Sequence, residues 1–176
     1  MADIRTNVVA RITSEEQSQT APQACADIAS PARTQDNIIR ALDVITAPPN
    51  KAGYQNVGQG HKILVTAAYS DHHDDSALGP HGHHPGSNPG WAIDFVPVAD
   101  PYLTNADTSI ALIADLISRN YYVTKVGCQG KYANNARLTD AANRAGVALF
   151  TDEGTGPHIH IQSAEDYVLA SLAKNQ

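Results

Sequence analysis

The stretch Trp91-Ala-Ile-Asp-Phe-Val96 constrains this chain more than any other, because it sets one acid, Asp94, inside an apolar run. Such a run reads as a strand. Side chains alternate between the two faces of a strand, so Asp94 shares a face with Ala92 and Val96, while Ile93 and Phe95 point the other way. Burying a carboxylate in that setting is costly unless it is paired or holds a cation. A second concentration of the same kind follows at Gly156-Pro-His-Ile-His-Ile-Gln162. The same alternation puts His158 and His160 on one face, with Ile159 and Ile161 packing on the other. Two strands, each apolar on one face and presenting ligand-type groups on the other, bring a His, an Asp and a His together. Three nitrogen and oxygen ligands with a fourth position left open describe a catalytic zinc site rather than a closed structural one.

Upstream of Asp94 lies a polar loop over 70–90, about twenty residues long, and loops of that length in a compact domain are usually functional or disordered. It carries His81, His83 and His84 among glycines and prolines, after the run Asp71-His-His-Asp-Asp75. One of the three later histidines suffices as a ligand, and the residues alone leave open which. The 71–75 run offers a second metal position, against the commoner reading of a solvated charge run. Every histidine except His61, which is read as structural, falls in these segments, and none lies at a terminus where a tag would be.

The chain has 176 residues, 42% of them hydrophobic, which is enough for a core. Its net charge of −6 and only 12 scattered Lys and Arg argue against a nucleic-acid partner, since phosphate binding needs clustered cations. Cys25 and Cys128 form no metal motif, and their spacing implies no disulfide. No stretch approaches the roughly 20 apolar residues of a membrane span, and the start has no apolar run of signal-peptide length. The expectation is a soluble chain made in the cytoplasm and delivered by other means if it acts elsewhere.

Residues 13–35, rich in Ser, Thr, Gln, Ala and Pro, suggest a loose arm, and the expected division is an N-terminal arm over 1–35 and one domain over 36–176. Ile38, Ile39, Leu42 and Ile45 predict a helix from Asp36 to Pro48. A connection over 50–60 and a strand over 62–69 follow. Beyond the Trp91–Val98 strand come a helix capped at Asp107 or Thr108 and running to Arg119-Asn120, a strand over 121–126, a turn-rich loop over 127–135 and a short helix over 139–145 closed by Gly146. Strands over 147–150 and 158–162 and a closing helix over 165–173 complete the order. Strands separated by short loops, with few helices, predict an α+β fold on a largely antiparallel sheet.

The pattern Gly90-x-Ala92-x-Asp94 after an upstream His, followed by His158-x-His160, resembles the LAS metallopeptidases. These are the zinc D-Ala-D-Ala carboxypeptidases, murein endopeptidases and phage endolysins that cut peptide bonds in peptidoglycan. The likeness spans residues 60–163. It implies Zn²⁺ held by the upstream His, Asp94 and His160, with His158 beside the metal as base or transition-state stabiliser. The chain departs from the family signature in three places. The usual ligand position seven residues before the Asp is Ser87. An insertion in the loop therefore makes His84 the nearest candidate, with His83 and His81 behind it. The family's Arg after the first strand is missing from Ala67-Ala-Tyr-Ser70, which favours an endopeptidase over a carboxypeptidase. The catalytic Glu that many members place before the last ligand is replaced by Pro157, which leaves His158 as the base, with Glu153 or Asp152 in reserve.

The resemblance thus implies a zinc-dependent peptidase acting on a peptidoglycan peptide, in which the ion activates water and polarises the carbonyl. On that expectation the chain would reach the cell wall through lysis, phage delivery or specialised export. The alternative is a degenerate LAS-like domain that binds cell wall or a protein partner without cutting.

Overall fold

Helix α1 (Ala2–Ile12) carries Ile4, Val8 and Ile12 at four-residue spacing, so one stripe of the helix turns inward. Val8 and Ile12 are fully buried there. Helix α2 (Pro22–Ala29) starts on a proline, whose missing N–H costs nothing at that position. It buries Ala24 and Ile28. The computed structural model describes residues 2–17, 19–48, 60–119, 122–152 and 156–164. Within them, 2–35 differ from the loose arm expected for residues 1–35: their apolar side chains belong to the same core cluster as those of the sheet and the later helices. The stripe at 4, 8 and 12 supplies the anchor, and two buried polar groups finish the docking. Arg5 donates to the carbonyls of Ile28 (2.6 Å) and Thr34 (3.0 Å) and to Asp36 (2.8 Å). Asp27, with no exposed surface, accepts from Arg33, from Gln23 and from both the amide and the hydroxyl of Ser70.

Helix α3 (Asp36–Thr46) buries Ile38, Ile39, Leu42 and Ile45, the spacing that predicts it. The sheet is built from β1 (Ile63–Ala67), β2 (Ala92–Pro97), β3 (Lys125–Gln129), β4 (Ala148–Asp152) and β5 (Ile159–Gln162). Its order is β1-β2-β5-β3-β4, with every neighbouring pair antiparallel except β3 and β4. The parallel pair needs a crossover. It is made by α5 (Gly130–Ala133) and α6 (Ala136–Ala145). Asn135 caps α6 by accepting from the Leu138 amide, and Gly146 ends it at φ 64°, a left-handed conformation that glycine adopts without strain. Helix α4 (Ala106–Arg119) packs against α6 and joins β2 to β3. The result is an α+β domain on a largely antiparallel sheet, the class expected.

Boundaries moved where turns compete with β-branched runs. Residues 122–124 form a turn and bend, and β3 begins only at Lys125, so Gly127, Cys128 and Gln129 are strand residues rather than loop. His61, read as structural, bonds Asp115 of α4 through Nε2 (3.1 Å). The connection over 50–59 and the closing helix over 165–173 lie outside the described residues.

On one face of the sheet Ile93, Phe95, Ile159, Ile161, Val126 and Cys128 join the continuous apolar cluster with the helices. That burial fixes the register, because slipping by one residue would exchange the faces of a whole strand. The opposite face therefore presents Asp94, His160 and Gly127.

Candidate metal centre

The β2–β5 register sets Asp94 directly opposite His160, between the pairs Ile93–Ile161 and Phe95–Ile159. Across that pair His160 Nδ1 lies 2.9 Å from Asp94 Oδ1. On its other side His160 faces Gly127 of β3. A Cβ at residue 127 would stand 2.7 Å from the Phe150 ring and 3.1 Å from the His160 Cβ. Glycine is required there by this close approach, and it lets Phe150 lie edge-on to His160 with centroids 5.6 Å apart.

The loop reaches the same carboxylate through a turn organised by Asp75. The Asp75 side chain accepts from the amides of His83 and His84, both at 2.9 Å, while its own amide donates to the His84 carbonyl at 2.8 Å. Gly90 lets the chain pass, since a Cβ there would fall 2.2 Å from the His83 carbonyl oxygen. So held, His83 places Nε2 3.1 Å from Asp94 Oδ1 and turns Nδ1 toward the Asp75 carboxylate at 3.9 Å. His72 stacks on His83 with ring centroids 3.7 Å apart and planes at 10°, and its Nε2 lies 3.9 Å from Asp94 Oδ2. His158 Nε2 lies at the same distance from that oxygen, and its Nδ1 is 2.8 Å from the Gly156 carbonyl. Four imidazoles thus converge on one carboxylate, His83 and His160 about Oδ1, His72 and His158 about Oδ2.

Electrostatics follow from the packing. Burial alone would raise the Asp94 carboxyl, but the hydrogen bonds from His160 and His83 and their charges outweigh it and hold the group well below the usual carboxylate range. The His72 imidazole is lowered as well, relative to a free one. Burial and then the neighbouring His83 lower its pKa, partly opposed by Asp94, Asp75 and Asp71. That favours the neutral ring, the form in which a histidine binds a metal.

The donor set fits a metal ion. The ligand atoms of His72, His83 and Asp94 all lie within 4.8 Å of one another. Among the described residues the buried His72 Nε2 atom has no hydrogen-bond partner, whereas buried polar atoms almost always have one. A lone pair left over inside a His/Asp cluster is what a cation would satisfy. His160, from β5, is not part of that trio of ligand atoms but makes the shorter contact to the carboxylate, 2.9 Å from Nδ1 to Oδ1.

Asp94, His158 and His160, picked out by strand alternation, come together. His84, expected as the first ligand, is not the histidine that reaches Asp94. Its Nδ1 bonds the His72 carbonyl at 2.8 Å and its ring lies against Tyr69 at 3.9 Å. With both amides pinned by Asp75, adjacent side chains diverge, and His83 takes the inward direction. His81 stands edge-on to Trp91. Of the two reserve bases, Glu153 lies outside the described residues and Asp152 ends β4. His72 and Asp75 were hidden in a run that reads as solvated charge, and a turn has no period that would single them out. Compared with protein-family models, curated proteins and solved structures, the chain matches none.

Proposed function

We propose that the chain is a zinc-dependent peptidase whose ion is held by His83, Asp94 and His160, and whose substrate is the peptide portion of peptidoglycan. The observation that carries the metal part is the convergence of histidines on the buried Asp94 carboxylate, with an unsatisfied ring nitrogen among them. When bound, such an ion supplies Lewis acidity toward a carbonyl oxygen and toward water.

The chain's own groups divide the remaining work. Asp94 and His160 are fixed by adjacent strands, a rigid base for a ligand set. Asp75 holds His83 through its backbone amide, with its carboxylate 3.9 Å from the second ring nitrogen. His158 directs Nδ1 at the Gly156 carbonyl, which defines that nitrogen as the donor and Nε2 as the acceptor facing the site. Nε2 is then placed to take a proton from water and return it to a leaving amine. The substrate class rests on the motif resemblance of residues 90–94 and 158–160. An endopeptidase is favoured because Ala67–Ser70 offers no Arg for a terminal carboxylate.

The test is digestion of purified peptidoglycan, with soluble muropeptides separated by chromatography and metal content measured on the same samples. Wild type should release new peptide termini, and His158→Ala should retain zinc while losing about 100-fold or more in rate, the scale of positioned acid–base catalysis. Retained zinc without any cleavage by wild type would instead favour a domain that binds without cutting.

A further inference from the structure

We infer that His72 is a fourth protein ligand to the ion held by His83, Asp94 and His160, so that the site is closed at rest and opens when His72 leaves. This rests on the metal centre proposed above and adds to it a residue from outside the expected trio.

Three observations converge on His72. Its Nε2 is buried and has no hydrogen-bond partner among the described residues. It faces Asp94 Oδ2 at 3.9 Å. Its ligand atom lies within 4.8 Å of those of both His83 and Asp94. A three-ligand centre leaves a position for water or substrate, whereas four protein ligands of this type fill a tetrahedral shell. Filling that shell would normally mark a structural site, so the four holders must be compared for how firmly each is fixed.

Asp94 and His160 sit on paired central strands. His83 is held through its amide, and its second ring nitrogen faces Asp75. His72 is held less firmly, by a backbone carbonyl that accepts from His84 Nδ1 at 2.8 Å. It follows a short turn over 69–71, its amide makes a long 3.4 Å contact to the Tyr69 carbonyl, and a third of its side chain is exposed. Its stacking on His83 positions the ring. Of the four, His72 is the ligand that can be displaced. A carbonyl or carboxylate oxygen from a peptide would then take the place His72 vacates, and the loop over 70–90 would act as a strap on the centre.

The experiment is X-ray absorption on the zinc-loaded full chain, wild type beside His72→Ala, together with zinc affinity by competition against a chromophoric chelator. Outer-shell scattering should count imidazoles from His72, His83 and His160 in wild type and one fewer in the variant, with zinc binding at least about tenfold weaker. Azide added to the cobalt-substituted variant should change its visible spectrum while leaving wild type unchanged, a readout that a merely structural role would not move. His73→Ala, at an exposed neighbour, should match wild type throughout. Equal imidazole counts and equal affinity in wild type and His72→Ala would overturn the inference and leave the three-ligand centre standing. Failure of wild type to take up zinc would overturn both.

Discussion

At the scale of single residues, Gly127 shapes the cluster around Asp94 without contributing a side chain to it. Its missing Cβ is what allows His160 and Phe150 to cross β3. Gly127→Ala should force the Phe150 ring or β5 to shift, costing about 1–3 kcal/mol as overpacked sites do. Because His160 is displaced with it, zinc affinity should fall as well, whereas an ordinary core insertion would lower only the unfolding temperature. Chemical denaturation and zinc titration of the same variant separate the two. Cys128 offers a second residue-scale check. Burial pushes its thiol up to about 11, and the side chain has no exposed surface. At pH 8 it should resist alkylation in the native protein and react promptly in denaturant, with reactivity followed by mass spectrometry. Fast native labelling would mean that β3 opens far more readily than its packing implies.

Elements rather than residues decide which part of the centre could be read in advance. Asp94, His158 and His160 were legible because a strand has a period of two, and its apolar face names its other face. The loop gave no such handle. His83 and His84 both donate their amides to Asp75, and only their rings tell them apart, His83 Nε2 reaching Asp94 while His84 Nδ1 turns back to the His72 carbonyl. The N-terminal helices were obscured in a related way, since residues 13–35 are polar while the apolar stripe that docks them lies earlier, in α1. Asp75 is therefore the element-scale test. Asp75→Ala removes an acceptor from two amides, and hydrogen bonds to a charged group contribute about 1.5–3 kcal/mol each. The variant should lose roughly that order of stability and bind zinc at least about tenfold more weakly, through His83. An unchanged zinc affinity would show that His83 is positioned by something other than this turn.

Across the whole molecule, one buried carboxylate fastens the N-terminal helices to the loop that carries the site. Burial raises the Asp27 carboxyl, but the bonds from Ser70, Arg33 and Gln23 outweigh it and lower the pKa. A group depressed on folding stabilises the native state above its unfolded pKa, about 3.9 for Asp, and that contribution is lost as pH falls through the folded value. Unfolding followed by denaturant should therefore show stability falling with acid below about pH 4. In Asp27→Asn that part of the slope should be missing. A slope identical to wild type would mean that Ser70 and Arg33 do not depend on the charge.

The most direct measurement on the metal centre is calorimetric titration of Zn²⁺ into metal-free protein, wild type beside Asp94→Ala, with thermal unfolding confirming that both are folded. If Asp94 is the carboxylate around which the site is built, wild type should bind a single ion tightly and the variant none. Absence of binding in wild type, or equal binding in the folded variant, would contradict a metal centre at Asp94 and leave the four histidines as packing around a buried acid.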